Sequence, residues 1–130
     1  MVFTNIKTAQ ELGAEKLESA ISSKVAEIRQ HYTAVGKVLT HGGYQWQTDD
    51  VAQQRIGNVY SALSSGLIAT PPKWRTLDNQ MVQMSAAEFT AFAGAVLSHQ
   101  ESTFAAMVGH IDAVRGLTTI ESVQGYTYGE

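Results

Sequence analysis

The sequence predicts a mostly helical α+β domain. Three observations carry that reading. Two long stretches place apolar residues at helical spacing, one from Thr8 or Ala9 to about Val35 and one from Ala86 to about Arg115. Two pairs of short β-prone runs each enclose a turn and precede a helix-start signal. Gly36, Gly66, the pair Pro71-Pro72 and Gly116 punctuate the segments between. The expected order is three main helices, with two short β-hairpins preceding the second and third, and a short C-terminal helix.

The first helix is rich in Ala, Glu, Lys and Gln, all good helix formers. Leu17, Ile21, Val25, Ile28, Tyr32 and Val35 form one apolar stripe along it. Glu11, Glu15 and Glu18 come early and Lys24 and Arg29 late, the order that suits the helix dipole. The stripe packs on the protein's own core or, like a coiled-coil seam, on a second copy, so a homo-oligomer stays open. Before it, Met1 to Lys7 is too apolar for a simple solvated arm. Val2, Phe3 and Ile6 either pack on the domain or await a partner.

After Gly36, Val38 to Thr40 and Tyr44 to Trp46 read as strands around a His41-Gly42-Gly43 turn, where glycine supplies positive φ. Tyr44 and Trp46 fall on one face. Thr48 reads as the N-cap of a second helix running to about Ser65, with Asp49 and Asp50 in its first turn and Gly66 as its C-cap. Its apolar face comprises Ala52, Ile56, Val59, Tyr60 and Leu63. Leu67 to Lys73 is held extended by Pro71-Pro72 and reads as a surface crossover.

Trp74 to Thr76 and Met81 to Met84 form the second expected hairpin, turning at Leu77-Asp78-Asn79-Gln80. Ser85-Ala86-Ala87-Glu88 matches a capping box. The third helix then buries Phe89, Phe92, Val96, Phe104, Met107, Ile111 and Val114, with His99 and Gln100 as polar interruptions. Thr118 to Glu121 is a second capping-box match, opening a helix that ends near Gln124. The remainder, residues 125–130, reads as a flexible tail or a segment that docks on a partner through Tyr126 and Tyr128.

Composition bounds the function. A chain of 130 residues is one ordinary domain, read here as residues 1–130 with an N-terminal arm at 1–8. Such a chain buries roughly two thirds of its unfolded surface and folds without a metal or disulfide. It has no cysteine, which excludes thiolate chemistry and disulfides. Nine basic and twelve acidic residues, a formal net charge of −3, are spread along the chain with no basic cluster in sequence, which disfavours nucleic acid as a partner. No stretch approaches the ~20 apolar residues of a membrane helix, and the N-terminus lacks a secretory pattern. The expected protein is therefore soluble, made in the cytoplasm and without a membrane partner.

No catalytic motif is present. His99 and His110 share a helix face but sit about 16 Å apart at about 1.5 Å per residue, too far for one metal. His31 and His41 read as structural, and Asp49-Asp50 as capping electrostatics. No cofactor, metal or catalytic residue is expected. Trp46 and Trp74 either cover the core beneath the hairpins or supply an aromatic for a protein–protein hot spot. The candidate partner-binding residues are Val2, Phe3, Ile6, Tyr44, Trp46, Tyr126 and Tyr128.

Three segments carry a family resemblance: VLTHGGYQWQTDDVAQQRI, PKWRTLDNQMVQMSAAEFTAFAGAVLSHQESTF and TTIESV. Their order is strand–turn–strand then [ST]-D, W-x-T with a D-N turn, [ST]-x-x-[DE]-[FL] opening an Ala-rich helix, and T-x-x-E-[LV]. From about Ala20 to Val123 this resembles the C-terminal domain of unknown function found in tail-fibre-assembly-like proteins of tailed bacteriophages. Members often carry a further N-terminal module; only Met1 to Thr8 precede the first helix here, close to the bare domain. The resemblance implies a non-enzymatic virion-tail protein, synthesised in the bacterial host cytoplasm, that binds a tail-fibre or baseplate protein. The alternatives are an assembly chaperone not retained in the virion, and a small phage-encoded host-interaction protein or enzyme.

Overall fold

The computed structural model describes residues 9–128; Val2, Phe3 and Ile6 lie outside them. The described elements are helix α1 (Ala9–Val35), strands β1 (Val38–His41) and β2 (Tyr44–Gln47), helix α2 (Asp50–Ser64), strands β3 (Trp74–Arg75) and β4 (Met81–Val82), and helices α3 (Ala86–Arg115) and α4 (Ile120–Gln124). The protein is a mostly helical α+β chain with two small antiparallel hairpins. Packing divides it into two compact units. Among the described residues, one is formed by 9–32 together with 106–128; the other is Thr33–Ala105.

The Thr33–Ala105 unit is built on its hairpins. Gly42 and Gly43 both take positive φ (63° and 84°), as a two-residue hairpin turn demands, and the ladder closes at His41 opposite Tyr44. In the second hairpin Asn79 takes the positive φ (66°) and its N–H donates to the Thr76 carbonyl, while the Thr76 N–H donates to Gln80. Each hairpin sends a tryptophan inward. Trp46 and Trp74 meet Phe89 and Phe92 of α3, with Ile56, Met84 and Val96 completing the core. The rings pack edge-on or tilted, with centroids 4.9 Å apart for Trp46–Phe92 and 5.3 Å for Trp74–Phe89. Pro71 is also fully buried, so the expected surface crossover dips into the unit there, where the Gln83 side-chain amide donates to its carbonyl.

Capping follows the sequence with two shifts. Ser85 and Glu88 form the expected reciprocal box, Ser85 N–H to Glu88 at 2.8 Å and Glu88 N–H to the Ser85 hydroxyl at 3.1 Å. For α2, however, Asp49 is the N-cap and accepts from the Ala52 N–H at 2.9 Å. Thr48 is fully buried, and its hydroxyl donates to the Gly36 carbonyl instead. At the far end Gly66 N–H donates to Leu63 and Leu67 N–H to Ala62, the paired bonds that a glycine at positive φ closes. For α4 the cap is Thr119, which accepts from the Ser122 N–H, one residue later than the box the sequence suggested.

The α3 stripe also shifts. Phe104 is 63% exposed. At about 100° per residue, a face that includes Val96 and Met107 passes through Gln100 and Thr103, not Phe104. Gln100 occupies the stripe because its amide serves two carbonyls, Gly36 at 2.7 Å and Thr48 at 3.1 Å. His99 bonds the Val35 carbonyl at 2.9 Å. These side chains satisfy the free carbonyls where α1 ends, the accounting a buried helix terminus requires. On α2, Tyr60 likewise stands at the rim, 43% exposed, rather than in the apolar face.

In the other unit, Val25, Ile28 and Tyr32 of α1 pack with Ile111 and Val114 of α3 and Val123 of α4. The expected helical stripe on α1 is therefore largely occupied by the chain itself, although Val35 at its end is exposed.

Candidate functional site

The described sequence candidates separate into framework and surface. Trp46 is 2% exposed and its indole N–H donates to the His41 carbonyl at 2.9 Å, so it is core and offers no ring to a partner. Tyr126 and Tyr128, expected in a flexible tail, pack half-buried on their own unit. Tyr126 shares a 2.7 Å hydrogen bond with His110 Nδ1. Tyr128 meets His31 edge-on at 5.5 Å and lies under the Lys24 ammonium at 5.9 Å. His110 in turn stacks on Tyr32. The two histidines thus hold the C-terminal aromatics in place. Tyr44 keeps an exposed ring, packed edge-on against Trp46.

Two grooves flank α2 in the Thr33–Ala105 unit. The first, about 470 Å³, runs between α2 and α3. Its lining is mostly apolar: Ile56, Ala93, Val96 and Leu97, with Gly57 and Gly94 opening space on either side and Tyr60 and Gln100 at its margins. Leu97 is 61% exposed, which leaves an apolar knob beside an apolar slot.

The second groove, about 440 Å³, lies on the opposite flank, against the second hairpin. Arg55 of α2 and Lys73 and Arg75 around β3 all line it. Alternation along the chain buries Trp74 and leaves Lys73 and Arg75 exposed together. The Arg55 guanidinium sits over the Trp74 ring at 4.7 Å. Among the described residues no carboxylate pairs with any of these three cations. The sequence, read linearly, showed no basic cluster; folding gathers one from positions up to twenty residues apart. The signal available was Lys73-Trp74-Arg75, basic–aromatic–basic, but Arg55 joins it only through the packing of α2.

Charge chemistry elsewhere is local. The Ala52 N–H and then the Gln47 amide hold the Asp49 carboxyl below its usual range; the Ser85 N–H and then its hydroxyl do the same for Glu88. Both are capping groups. Among the described residues no cluster of three or more His, Cys, Asp or Glu is placed to hold a metal ion, and no helix is long and apolar enough to cross a membrane. One groove offers apolar contact and the other offers positive charge.

No curated protein and no solved structure matches the chain. One family's sequence model does, over residues 15–127, a span that takes in both grooves and the tyrosine–histidine cluster up to Tyr126: the chain belongs to the family described as Domain of unknown function (DUF4376).

Proposed function

We propose that this chain is a non-enzymatic bacteriophage tail protein that binds a tail-fibre or baseplate protein as a component of the virion. The observation that carries the reading is the order of motifs from Ala20 to Val123, hairpin, capped helix, W-x-T hairpin and capped Ala-rich helix, which resembles the domain found in tail-fibre-assembly-like proteins. The apolar slot between α2 and α3 supports a protein partner. Its exposed Leu97 and Tyr60 rim a glycine-lined trough of the kind an apolar side chain fills.

Mass spectrometry of purified virions of the phage that encodes the chain tests the reading. The expected result is recovery of the protein with the tail, together with a tail-fibre or baseplate protein in pull-downs from infected cells. Leu97→Glu should lower that co-recovery about tenfold, the effect of losing one anchoring contact of about 1.4 kcal/mol. Absence from the virion with the fibre protein still captured would replace the structural role with that of an assembly chaperone.

A further inference from the structure

We propose that the groove between α2 and the second hairpin is a recognition site for an acidic segment of another protein, gripped through its carboxylates. The proposal stands on this groove alone and holds whether or not the chain belongs to a phage tail.

Thr33–Ala105 contains four basic residues, Lys37, Arg55, Lys73 and Arg75. Three of them line one groove, and no acidic side chain lines it with them. Cations gathered in this way repel one another, and among the described residues no carboxylate forms an ion pair with them, although Asp49 and Asp78 bond the lining residues Gln47 and Thr76 from outside the groove. Arg55 is also pre-oriented. Its guanidinium carbon sits over the Trp74 ring, and among the described residues its N–H groups make no hydrogen bond, which leaves them to form the two parallel bonds a carboxylate accepts. Asn79 adds a neutral amide donor to the wall, whereas the Gln47 amide is engaged by Asp49.

The rest of the lining selects among anions. Leu77 and Met81 are 46% and 54% exposed and border the same groove. An apolar rim beside cations suits a peptide that alternates carboxylates with an aliphatic side chain, and a thioether adapts to such a partner. It gives a phosphodiester backbone nothing. Beyond the groove the unit carries Asp49, Asp50, Asp78, Glu88 and Glu101, so a long polyanion following the surface meets repulsion where a short acidic segment does not.

The test uses the full chain and a fluorescein-labelled peptide, Glu-Glu-Leu-Glu-Glu, read by anisotropy. Its glutamine counterpart, inorganic phosphate and a thymidine oligonucleotide serve as comparison arms. The expected result is saturable binding of the acidic peptide alone, weakening severalfold between about 50 and about 200 mM salt as the charges are screened. Arg55→Gln and the double change Lys73→Gln with Arg75→Gln should each lower affinity about tenfold, the value of one lost charge-assisted contact. Arg55→Lys keeps the charge, loses the fork and should fall between. Leu77→Ser should weaken this peptide and spare Glu-Glu-Gly-Glu-Glu. All four side chains are exposed, and an unchanged far-UV circular dichroism spectrum confirms the fold of each variant. Undetectable peptide binding at about millimolar protein, equal binding by the wild type and glutamine variants, or tighter binding of phosphate or oligonucleotide would each overturn the proposal.

Discussion

The two packed units solve the same problem with different side chains. Thr33–Ala105 closes its core with two tryptophans and two phenylalanines, brought together by hairpins that are four and two residues per strand. The unit containing α4 closes with aliphatic residues from helix faces and finishes with a tyrosine–histidine cluster at its edge. Short hairpins are marginal alone and depend on what they pack against. In the first unit the aromatic core therefore holds strands that could not stand by themselves. In the second, helices already form, and the aromatics serve to fix a chain end.

Breaking the aromatic core should show the largest effect. Phe92 is fully buried and meets Trp46, Trp74 and Phe89. Phe92→Ala should cost about 4 kcal/mol, through lost burial and the cavity left behind. The chain's two tryptophans both lie in this unit, so a lowered urea midpoint in tryptophan fluorescence measures it directly. A shift under about 1 kcal/mol would mean that the hairpins hold by their own pairing.

Next comes the polar residue inside the apolar stripe. Gln100 donates to the carbonyls of Gly36 and Thr48. Gln100→Leu adds apolar surface at a core-facing position, which naive patterning would welcome. It should instead destabilise by about 1.5 kcal/mol in the same denaturation assay, because two hydrogen bonds are lost at once. The Thr48 hydroxyl still serves Gly36 and the Gln53 amide still serves the Thr48 carbonyl, which limits the loss.

That residue also marks where sequence reading stops. The helices, both hairpins and their turns follow from local chemistry: helical periodicity, Gly42-Gly43, Asp78-Asn79, and the Ser85–Glu88 box. Each is decided by residues a few positions apart. Phe104 was assigned to the buried face because it is apolar, yet the phase set by Val96 and Met107 puts Gln100 there. The reason Gln100 is tolerated, two carbonyls some fifty and sixty positions earlier, is a contact no local pattern encodes. Thr48 fails in the same way: its hydroxyl donates to the distant Gly36 carbonyl, and Asp49 accepts the helix N–H in its place. The site was less legible still. Trp46 is a plausible docking residue by type, but burial assigns it to the framework, while Tyr126 and Tyr128 are half-buried against their own unit. The basic groove required Arg55 to meet Lys73 and Arg75 across α2 and β3.

A smaller effect probes the aromatic edge of the other unit. Tyr126→Phe keeps the ring and removes the hydroxyl bonded to His110. The expected cost is about 1 kcal/mol, small against the loss at Phe92 because aliphatic packing carries that unit. Faster amide exchange near the C-terminal end of the chain, with tryptophan fluorescence unchanged, would confirm that the bond acts locally. A drop as large as that of Phe92→Ala would remove the contrast between the units.

The smallest effect is electrostatic and belongs to the helix starts of Thr33–Ala105. Asp49 and Glu88 accept backbone N–H groups, which hold both carboxyls below their ordinary range. The folded chain thus releases these protons more readily than the unfolded chain. Their contribution to stability is fully present above the ordinary carboxylate range and is lost as pH falls through that range and below it. Glu88→Gln keeps an acceptor for the Ser85 N–H but cannot titrate. Urea midpoints taken between about pH 6 and about pH 3 should fall less steeply for Glu88→Gln than for wild type. Ser85→Ala, which removes the hydroxyl acceptor of the same box, should lower stability by about 1 kcal/mol at neutral pH. Parallel pH profiles for wild type and Glu88→Gln would show that this cap, however well formed, does not couple to folding.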